Sequence, residues 1–228
     1  DATGTRFAFI ASRGGKQGVF IMAADGGEPR QIVEKDAYFR EVALSPDGTK
    51  VAVILAEKDP KYTDEDGNDR GILVRHYKSV VYKEDGFGYY PKDKFHVWVF
   101  DVATGKGERV TLHERHHSSV LWNADGSEVL FLENVHEEPE FNPDWDVVHA
   151  INLGTGKRRK LGMDPGSYAA PRLSPDGKAL TVIGIDETGG GWGWQDQHVW
   201  LVPLDGSRAK NLTPGFDRPC SNYSLGDL

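Results

Sequence analysis

The tetrapeptide Ser45-Pro46-Asp47-Gly48 decides the fold, because it recurs later in the chain. The other copies are Ser174-Pro175-Asp176-Gly177 and the degraded Asn123-Ala124-Asp125-Gly126. A short apolar segment follows each copy, as in residues 51–55 (VAVIL). Asp-Gly between two short apolar segments is typical of a β-hairpin with a type I′ turn, in which both central residues have positive φ. Each copy therefore predicts a tight antiparallel turn.

A second repeated element has a constant distance from this turn. Three of its copies begin at Val19, Val97 and Val148, and in each the Gly of the following turn lies 29 residues further on. A fourth copy begins at Val199. We therefore predict that the four Val residues occupy equivalent positions on the third strands of four successive sheets. The other part of the period varies in length, so insertions enter each repeat at one place, over residues 56–94, 134–144 and 185–196.

These observations predict an all-β fold, a β-propeller built from four-stranded antiparallel blades, with about four blades in one domain, residues 1–228. With 27 Gly and 12 Pro residues the chain has little room for long helices. A β-sandwich is the alternative, but sandwiches do not generally repeat at constant spacing. A further inner strand is expected at residues 218–224, which either completes the first blade of a four-membered ring or belongs to a fifth blade of a larger ring.

Composition excludes several classes of function. The net charge of −8 argues against a nucleic-acid surface, which needs clustered Lys and Arg. The longest aliphatic run has six residues, 51–56, too few to cross a membrane as a helix. Cys220 is the only cysteine, so the sequence provides neither an internal disulfide nor a thiolate zinc site. We expect a cytoplasmic protein, although an exported protein can also lack disulfides.

The repeats also resemble those of a known family. Ser-Pro-Asp-Gly followed by an apolar strand, and then by a strand ending in residues 101–105 (DVATG), resembles the propeller repeats of the TolB and prolyl oligopeptidase groups. The insertion segment 75–89, running into residues 94–105, resembles the propeller domain of acylaminoacyl-peptidase-like members of the prolyl oligopeptidase family. The similarity covers essentially the whole chain. It implies a serine peptidase in which the propeller caps an α/β-hydrolase domain and limits access to short peptides.

The sequence departs from such an enzyme at the nucleophile. An α/β-hydrolase needs a Gly-x-Ser-x-Gly turn, and this motif does not occur in the 228 residues. We therefore assign no catalytic residue, and we place the hydrolase partner beyond Leu228 or on another polypeptide. A stand-alone TolB-like propeller that binds a protein and catalyses nothing is the second interpretation.

The candidate substrate-binding residues lie in two insertions. Arg75, Tyr77, Tyr82 and Tyr89 combine a guanidinium with aromatic rings, which can line an apolar pocket and hold a carboxylate or a peptide carbonyl. The alternative is that these rings cover the edge of a blade. We expect residues 72–90 to pack as an arm and residues 58–69, which have few apolar side chains, to stay mobile.

Two acidic residues of the next insertion, Glu137 and Glu138, are candidates for binding the ammonium group of a peptide. The alternative is a solvated acidic turn.

Neither a metal nor a cofactor is expected. His113, His116 and His117 form the densest His cluster, and His113 and His117 would converge on a helix, but in the predicted strands they straddle a loop. The acidic segment 64–69 lacks the Gly and the bidentate Glu of a calcium-binding loop.

Overall fold

The computed structural model describes residues 1–188 and 196–221, and within these residues all regular structure is β-strand. Four main sheets follow one another along the chain, and in each the strands pair antiparallel in sequence order. The all-β class predicted from the repeats is confirmed. We call the sheets blades 1 to 4.

Blade 1 has three strands within the described residues and the other blades have four. Blade 1 contains β1 (Arg6–Arg13), β2 (Lys16–Ala23) and β3 (Arg30–Glu34). Blade 2 contains β4 (Ala37–Leu44), β5 (Lys50–Glu57), β8 (His96–Asp101) and β9 (Gly107–Arg109), and two short strands, β6 (Lys83–Glu84) and β7 (Gly88–Tyr89), form a hairpin between β5 and β8. Blade 3 contains β10 (His117–Trp122), β11 (Glu128–Asn134), β12 (Asp146–Asn152) and β13 (Arg158–Lys160); blade 4 contains β14 (Ser167–Leu173), β15 (Ala179–Ile185), β16 (His198–Pro203) and β17 (Lys210–Asn211).

The four repeated Val residues occupy equivalent places. Val97, Val148 and Val199 lie on the third strands of blades 2, 3 and 4. Val19 lies on β2, which corresponds to a third strand because blade 1 begins at its second. Each Val pairs with the residue six positions after the turn glycine, and these partners are Ile54, Leu132, Ile183 and Ile10. The predicted equivalence is confirmed.

The repeated turn differs in type from the prediction. Gly48 has a φ of 68°, but Asp47 is not among the residues with positive φ, so the expected type I′ turn is wrong. The Gly48 amide instead donates to the Ser45 carbonyl at 2.9 Å, which closes a four-residue turn with Pro46 and Asp47 at its centre. Hydrogen bonds from Ser45 and Thr49 lower the pKa of Asp47 to about 2. The Asp side chain therefore stabilises the turn as a hydrogen-bond acceptor.

Three hydrophobic cores lie between adjacent blades. Strand β5 supplies two of them, because Val51, Val53 and Leu55 face blade 1 while Ala52 and Ile54 face blade 3. Strand β11 alternates in the same way between blades 2 and 4. Side chains on a strand point to opposite faces in turn, so both faces of each middle blade are buried.

The inner strands are linked from blade to blade by Glu41. The Glu41 carboxylate accepts hydrogen bonds from the amides of Ser119 (2.8 Å) and Val120 (3.2 Å) on β10. Ser119 has a φ of 59°, and this local irregularity in β10 turns consecutive amides toward one acceptor. The bond therefore joins the innermost strands of blades 2 and 3.

The connections that vary in length join the second and third strands of a blade. They cover residues 58–95 in blade 2 and 135–145 in blade 3. The third predicted insertion, 185–196, includes residues 189–195, which lie outside the described residues. Residues 218–221, the described part of the inner strand expected at 218–224, form no strand.

No helix in the described part of the chain is long and apolar enough to cross a membrane.

The blade-to-blade cores generate a test of stability. The Leu130 side chain is fully buried between blades 3 and 4, whereas the Leu112 side chain is 74% exposed. We expect Leu130→Ala to lower the free energy of unfolding by about 2–5 kcal/mol, because it removes apolar contacts and leaves a cavity. Leu112→Ala should change it by less than about 0.5 kcal/mol. Denaturant unfolding measures both, and equal effects would contradict the packing of these two blades.

Candidate functional site

The arm, residues 72–90, brings together four of the predicted binding residues. The ring centroids of Tyr77, Tyr82 and Tyr89 lie 5.5–6.5 Å from one another. The guanidinium carbon of Arg75 lies 5.0 Å from the centre of the Tyr89 ring, a cation–π contact. The Tyr82 and Tyr89 side chains are each 47% exposed. The arm therefore presents a cluster of rings, with one guanidinium, partly open to solvent.

Arg75 already has a carboxylate partner inside the insertion. The Arg75 Nη1 atom lies 3.5 Å from Oδ2 of Asp59 and 3.4 Å from the Tyr77 hydroxyl. The Asp59 side chain is only 10% exposed. Asp59 also accepts a hydrogen bond from the Lys92 amide at 3.0 Å. Asp59 thus connects Arg75 to Lys92, near the end of the insertion that leads into β8. It also orients the guanidinium against the rings.

The first half of the insertion forms a small hydrogen-bonded loop. The Tyr62 amide donates to the Gly71 carbonyl, and the Arg70 amide donates to the Tyr62 carbonyl, each at 2.8 Å. Inside this loop the Asp64 carboxylate accepts hydrogen bonds from Asn68 and Arg70. The Asp64 carboxylate is therefore paired within the loop itself. The mobility expected for residues 58–69 stays a prediction.

A second cluster, centred on Arg40 of β4, holds the arm on blade 2. The guanidinium carbon of Arg40 lies 3.9 Å from the Phe95 ring centre. Its Nη2 lies 3.2 Å from the Glu84 carboxylate and 3.0 Å from the Tyr90 hydroxyl, both of which belong to the arm. The Phe87 ring packs against Phe95, with their centroids 5.9 Å apart. Arg40 is the unpaired residue of a bulge in β4, which lets its side chain reach this face.

The blade 3 insertion contacts the arm through a residue that the sequence did not indicate. Oε2 of Glu140 accepts a hydrogen bond from the Val80 amide at 2.9 Å. Burial alone would raise the pKa of Glu140, but hydrogen bonds from Ser79 and Val80 outweigh it and lower this pKa. The predicted Glu137 and Glu138 are exposed, and neither carboxylate has a hydrogen-bond partner among the described residues. Their role in binding stays a prediction.

A cleft of about 460 Å³ lies between the arm and the blades. Of the predicted binding residues, Tyr77 lines it; the Tyr90 ring forms another part of the wall. Lys92 and Lys94 supply positive charge and Glu140 supplies a negative one. Aromatic walls with charges of both signs suit an elongated polar molecule such as a short peptide.

The three His residues of the predicted cluster face different partners. The buried His117 contacts the Phe95 carbonyl through Nδ1 (2.9 Å) and Glu133 through Nε2 (3.0 Å). Nδ1 of His116 accepts a hydrogen bond from the Phe95 amide, and His113 is exposed. In the described ranges no three side chains of metal-binding type are grouped to hold an ion.

Glu133 is the centre of a buried polar network. Besides His117, it binds Nη2 of Arg158 at 2.8 Å. Burial alone would raise the pKa of Glu133, but the hydrogen bonds from His117 and Arg158 outweigh it and lower the pKa to about 2. The hydrogen bonds from His117 and Arg158 therefore keep the buried Glu133 carboxylate ionised.

No family model matches the chain. A relative from Bacillus subtilis (strain 168), the uncharacterized peptidase YuxL, is 25% identical over 147 residues, which are 63% of this chain and 22% of that protein. The chain thus spans about a fifth of the length of this curated relative.

Two solved structures have the same fold. Pyrococcus horikoshii acylaminoacyl peptidase superposes with a TM-score of 0.68 at 16% identity, covering 95% of this chain and 32% of that one. A putative TolB from Agrobacterium tumefaciens superposes with a TM-score of 0.59 at 15% identity, covering 92% and 61%. The predicted resemblance to peptidase-family propellers is confirmed at the level of the fold.

The Glu133 network generates a prediction about acid stability. The folded pKa of Glu133 lies below its ordinary value of 4.5, so its contribution to stability is complete above pH 4.5 and is lost as the pH falls toward 2. We expect Glu133→Gln to be less stable than wild type at neutral pH, and the difference in unfolding free energy to shrink between pH 4.5 and 2. Denaturant unfolding at a series of pH values measures it. A difference independent of pH would contradict the ion pair.

Proposed function

We propose that this chain is the non-catalytic propeller domain of a serine oligopeptidase, which gates and binds short or acylated peptides. The observation that carries the proposal is the fold shared with an acylaminoacyl peptidase over 95% of the chain. The lack of a Gly-x-Ser-x-Gly motif in the sequence supports a role outside the chemical step. The proposed partner is an α/β-hydrolase domain beyond Leu228 or on another polypeptide, and the proposed location is the cytoplasm.

The arm is the proposed substrate contact. The half-exposed Tyr82 and Tyr89 offer ring faces to apolar side chains, and Tyr77 joins them to the cleft. Arg75, held by Asp59, has further N–H groups for a peptide carbonyl or carboxylate.

The ends of a peptide would meet positive charge in the wall of this cleft and negative charge in the blade 3 insertion, which contributes Glu140 to the same wall. Lys92 and Lys94 in its wall suit a terminal carboxylate. The exposed carboxylates of Glu137 and Glu138 in that insertion suit a terminal ammonium group, as proposed from the sequence.

A second candidate function is a TolB-like propeller that binds a protein partner and has no catalytic domain. The fold shared with the putative TolB from Agrobacterium tumefaciens favours it, because this chain spans 61% of that protein's structure. The coding sequence after residue 228 discriminates between the two. A continuing frame with Gly-x-Ser-x-Gly followed by Asp and His supports the peptidase, and a frame that continues without them supports the binding protein.

The proposal predicts that the isolated chain is inert toward serine-hydrolase reagents. It should neither react with a fluorophosphonate probe nor hydrolyse acyl-aminoacyl or peptidyl chromogenic substrates, because it contains no nucleophile elbow. Gel fluorescence and mass spectrometry measure the labelling. Stoichiometric labelling of the purified chain would refute the non-catalytic role.

A second test addresses the arm in the assembled enzyme. Arg75→Ala should reduce kcat/KM for a short peptide by roughly tenfold to a hundredfold, because charge-assisted hydrogen bonds contribute about 1.5–3 kcal/mol. Asp59→Asn should reduce it in the same direction if Asp59 orients the guanidinium. Tyr62→Ala, in the first half of the insertion, is the control and should have little effect. If Arg75→Ala changes neither the kinetics nor the stability, the arm only covers the blade edge and does not contact substrate.

A further inference from the structure

A second cleft, of about 440 Å³, lies at one end of blade 3, away from the arm. It is bounded by the β9–β10 connection and by β11, β12 and β13. Its wall contains four permanently cationic side chains and one carboxylate, although the chain as a whole has a net charge of −8. The four are Arg115, Arg158, Arg159 and Lys160, and the carboxylate is Glu133. We call this the blade 3 cleft.

The negative charge in the wall is already neutralised. Glu133 is almost fully buried and receives hydrogen bonds from His117 and Arg158. Arg159 is also occupied, because it forms a two-point ion pair with Glu128 at 3.2 and 2.7 Å and donates to the Leu204 carbonyl. The remaining donors determine what the cleft can bind.

Three cationic groups retain free donors in the described part of the chain. Arg115 uses Nη1 for the carbonyls of Asn134 and His136, which leaves Nη2 and Nε. Arg158 uses Nη2 alone, and the exposed Lys160 ammonium has no hydrogen-bond or ion-pair partner among the described residues. Arg115 comes from the β9–β10 connection, whereas Arg158 and Lys160 lie two residues apart on β13, so the donors reach the cleft from two segments.

A buried imidazole also lines the cleft. His149 is 7% exposed, and its Nδ1 lies 2.7 Å from Nη2 of Arg158. Burial and the nearby Arg158 lower the pKa of His149 to about 4, so the ring is neutral at neutral pH. Its Nε2 also lies 3.2 Å from Nη2 of Arg158, so both ring nitrogens are close to this guanidinium.

We propose that the blade 3 cleft binds a phosphate-type anion, either free inorganic phosphate or a small phosphate monoester. A tetrahedral dianion offers several oxygens at once to donors that converge from different directions, and arginine forks match this geometry. A single carboxylate would leave part of the cationic wall unpaired. This site is separate from the arm, and it does not depend on the proposed peptidase function.

The test is calorimetric titration of the intact chain with phosphate at constant ionic strength. Wild type should bind one equivalent saturably, while sodium acetate and sodium chloride at the same ionic strength should produce no saturable signal. A parallel titration with phosphoserine distinguishes the two sources: tighter binding than phosphate indicates a monoester ligand, and weaker binding indicates the free ion. Either result supports the site. If neither phosphate nor phosphoserine binds saturably, the proposal is overturned.

Matched variants locate the binding. Lys160→Gln and Arg115→Gln should each weaken phosphate binding by about tenfold or more, because each removes a charge-assisted hydrogen bond. Lys157→Gln makes the same change of charge in the exposed turn before β13 and should leave affinity unchanged. Arg115 also holds two backbone carbonyls, so the exposed Lys160 keeps the test valid if Arg115→Gln unfolds. Equal losses for Lys160→Gln and Lys157→Gln would show diffuse attraction and overturn the proposal.

Discussion

The burial of both faces of the middle blades is the constraint on which the rest of the structure depends. No helix in the described residues covers a sheet, so only another sheet can bury the apolar face of each blade. Strand β5 satisfies this by sending Val51, Val53 and Leu55 to one neighbour and Ala52 and Ile54 to the other. The blades must therefore stack side by side, and variation in sequence is tolerated mainly where strands end.

This constraint explains why the functional features lie where they do. The variable connections leave each blade between its second and third strands, outside the cores. At the bulge in β4, the adjacent residues Arg40 and Glu41 make different contacts. Arg40 holds the arm through Glu84 and Tyr90, while Glu41 holds the inner strand of the next blade. The bulge thus combines attachment of the arm with attachment of the neighbouring blade.

The repeats predicted the strand order and the equivalence of the four Val residues, because side-chain period and constant spacing are local properties of the sequence. The predicted turn type was wrong because the turn is centred on Pro46 and Asp47, one residue earlier than Asp-Gly suggests, and the Asp47 carboxylate stabilises it by accepting hydrogen bonds from Ser45 and Thr49. The composition of the arm predicted its aromatic cluster. The contacts of Arg40 and Glu140, and the convergence of Arg115 with Lys160, depend on a bulge and on long-range strand register, which no short sequence pattern reveals.

The long connection in blade 2 also has a consequence for the order of folding. To pair β8 with β5, the chain must close a loop over residues 58–95, whereas in blade 3 the corresponding loop covers 135–145. Closure entropy grows with the logarithm of loop length, so the longer loop costs roughly 1 kcal/mol more. Hairpin β4–β5 closes through a short turn and can form early. We therefore expect the outer half of blade 2 to join later, when blade 3 provides the surface that receives Val97 and Val99 of β8.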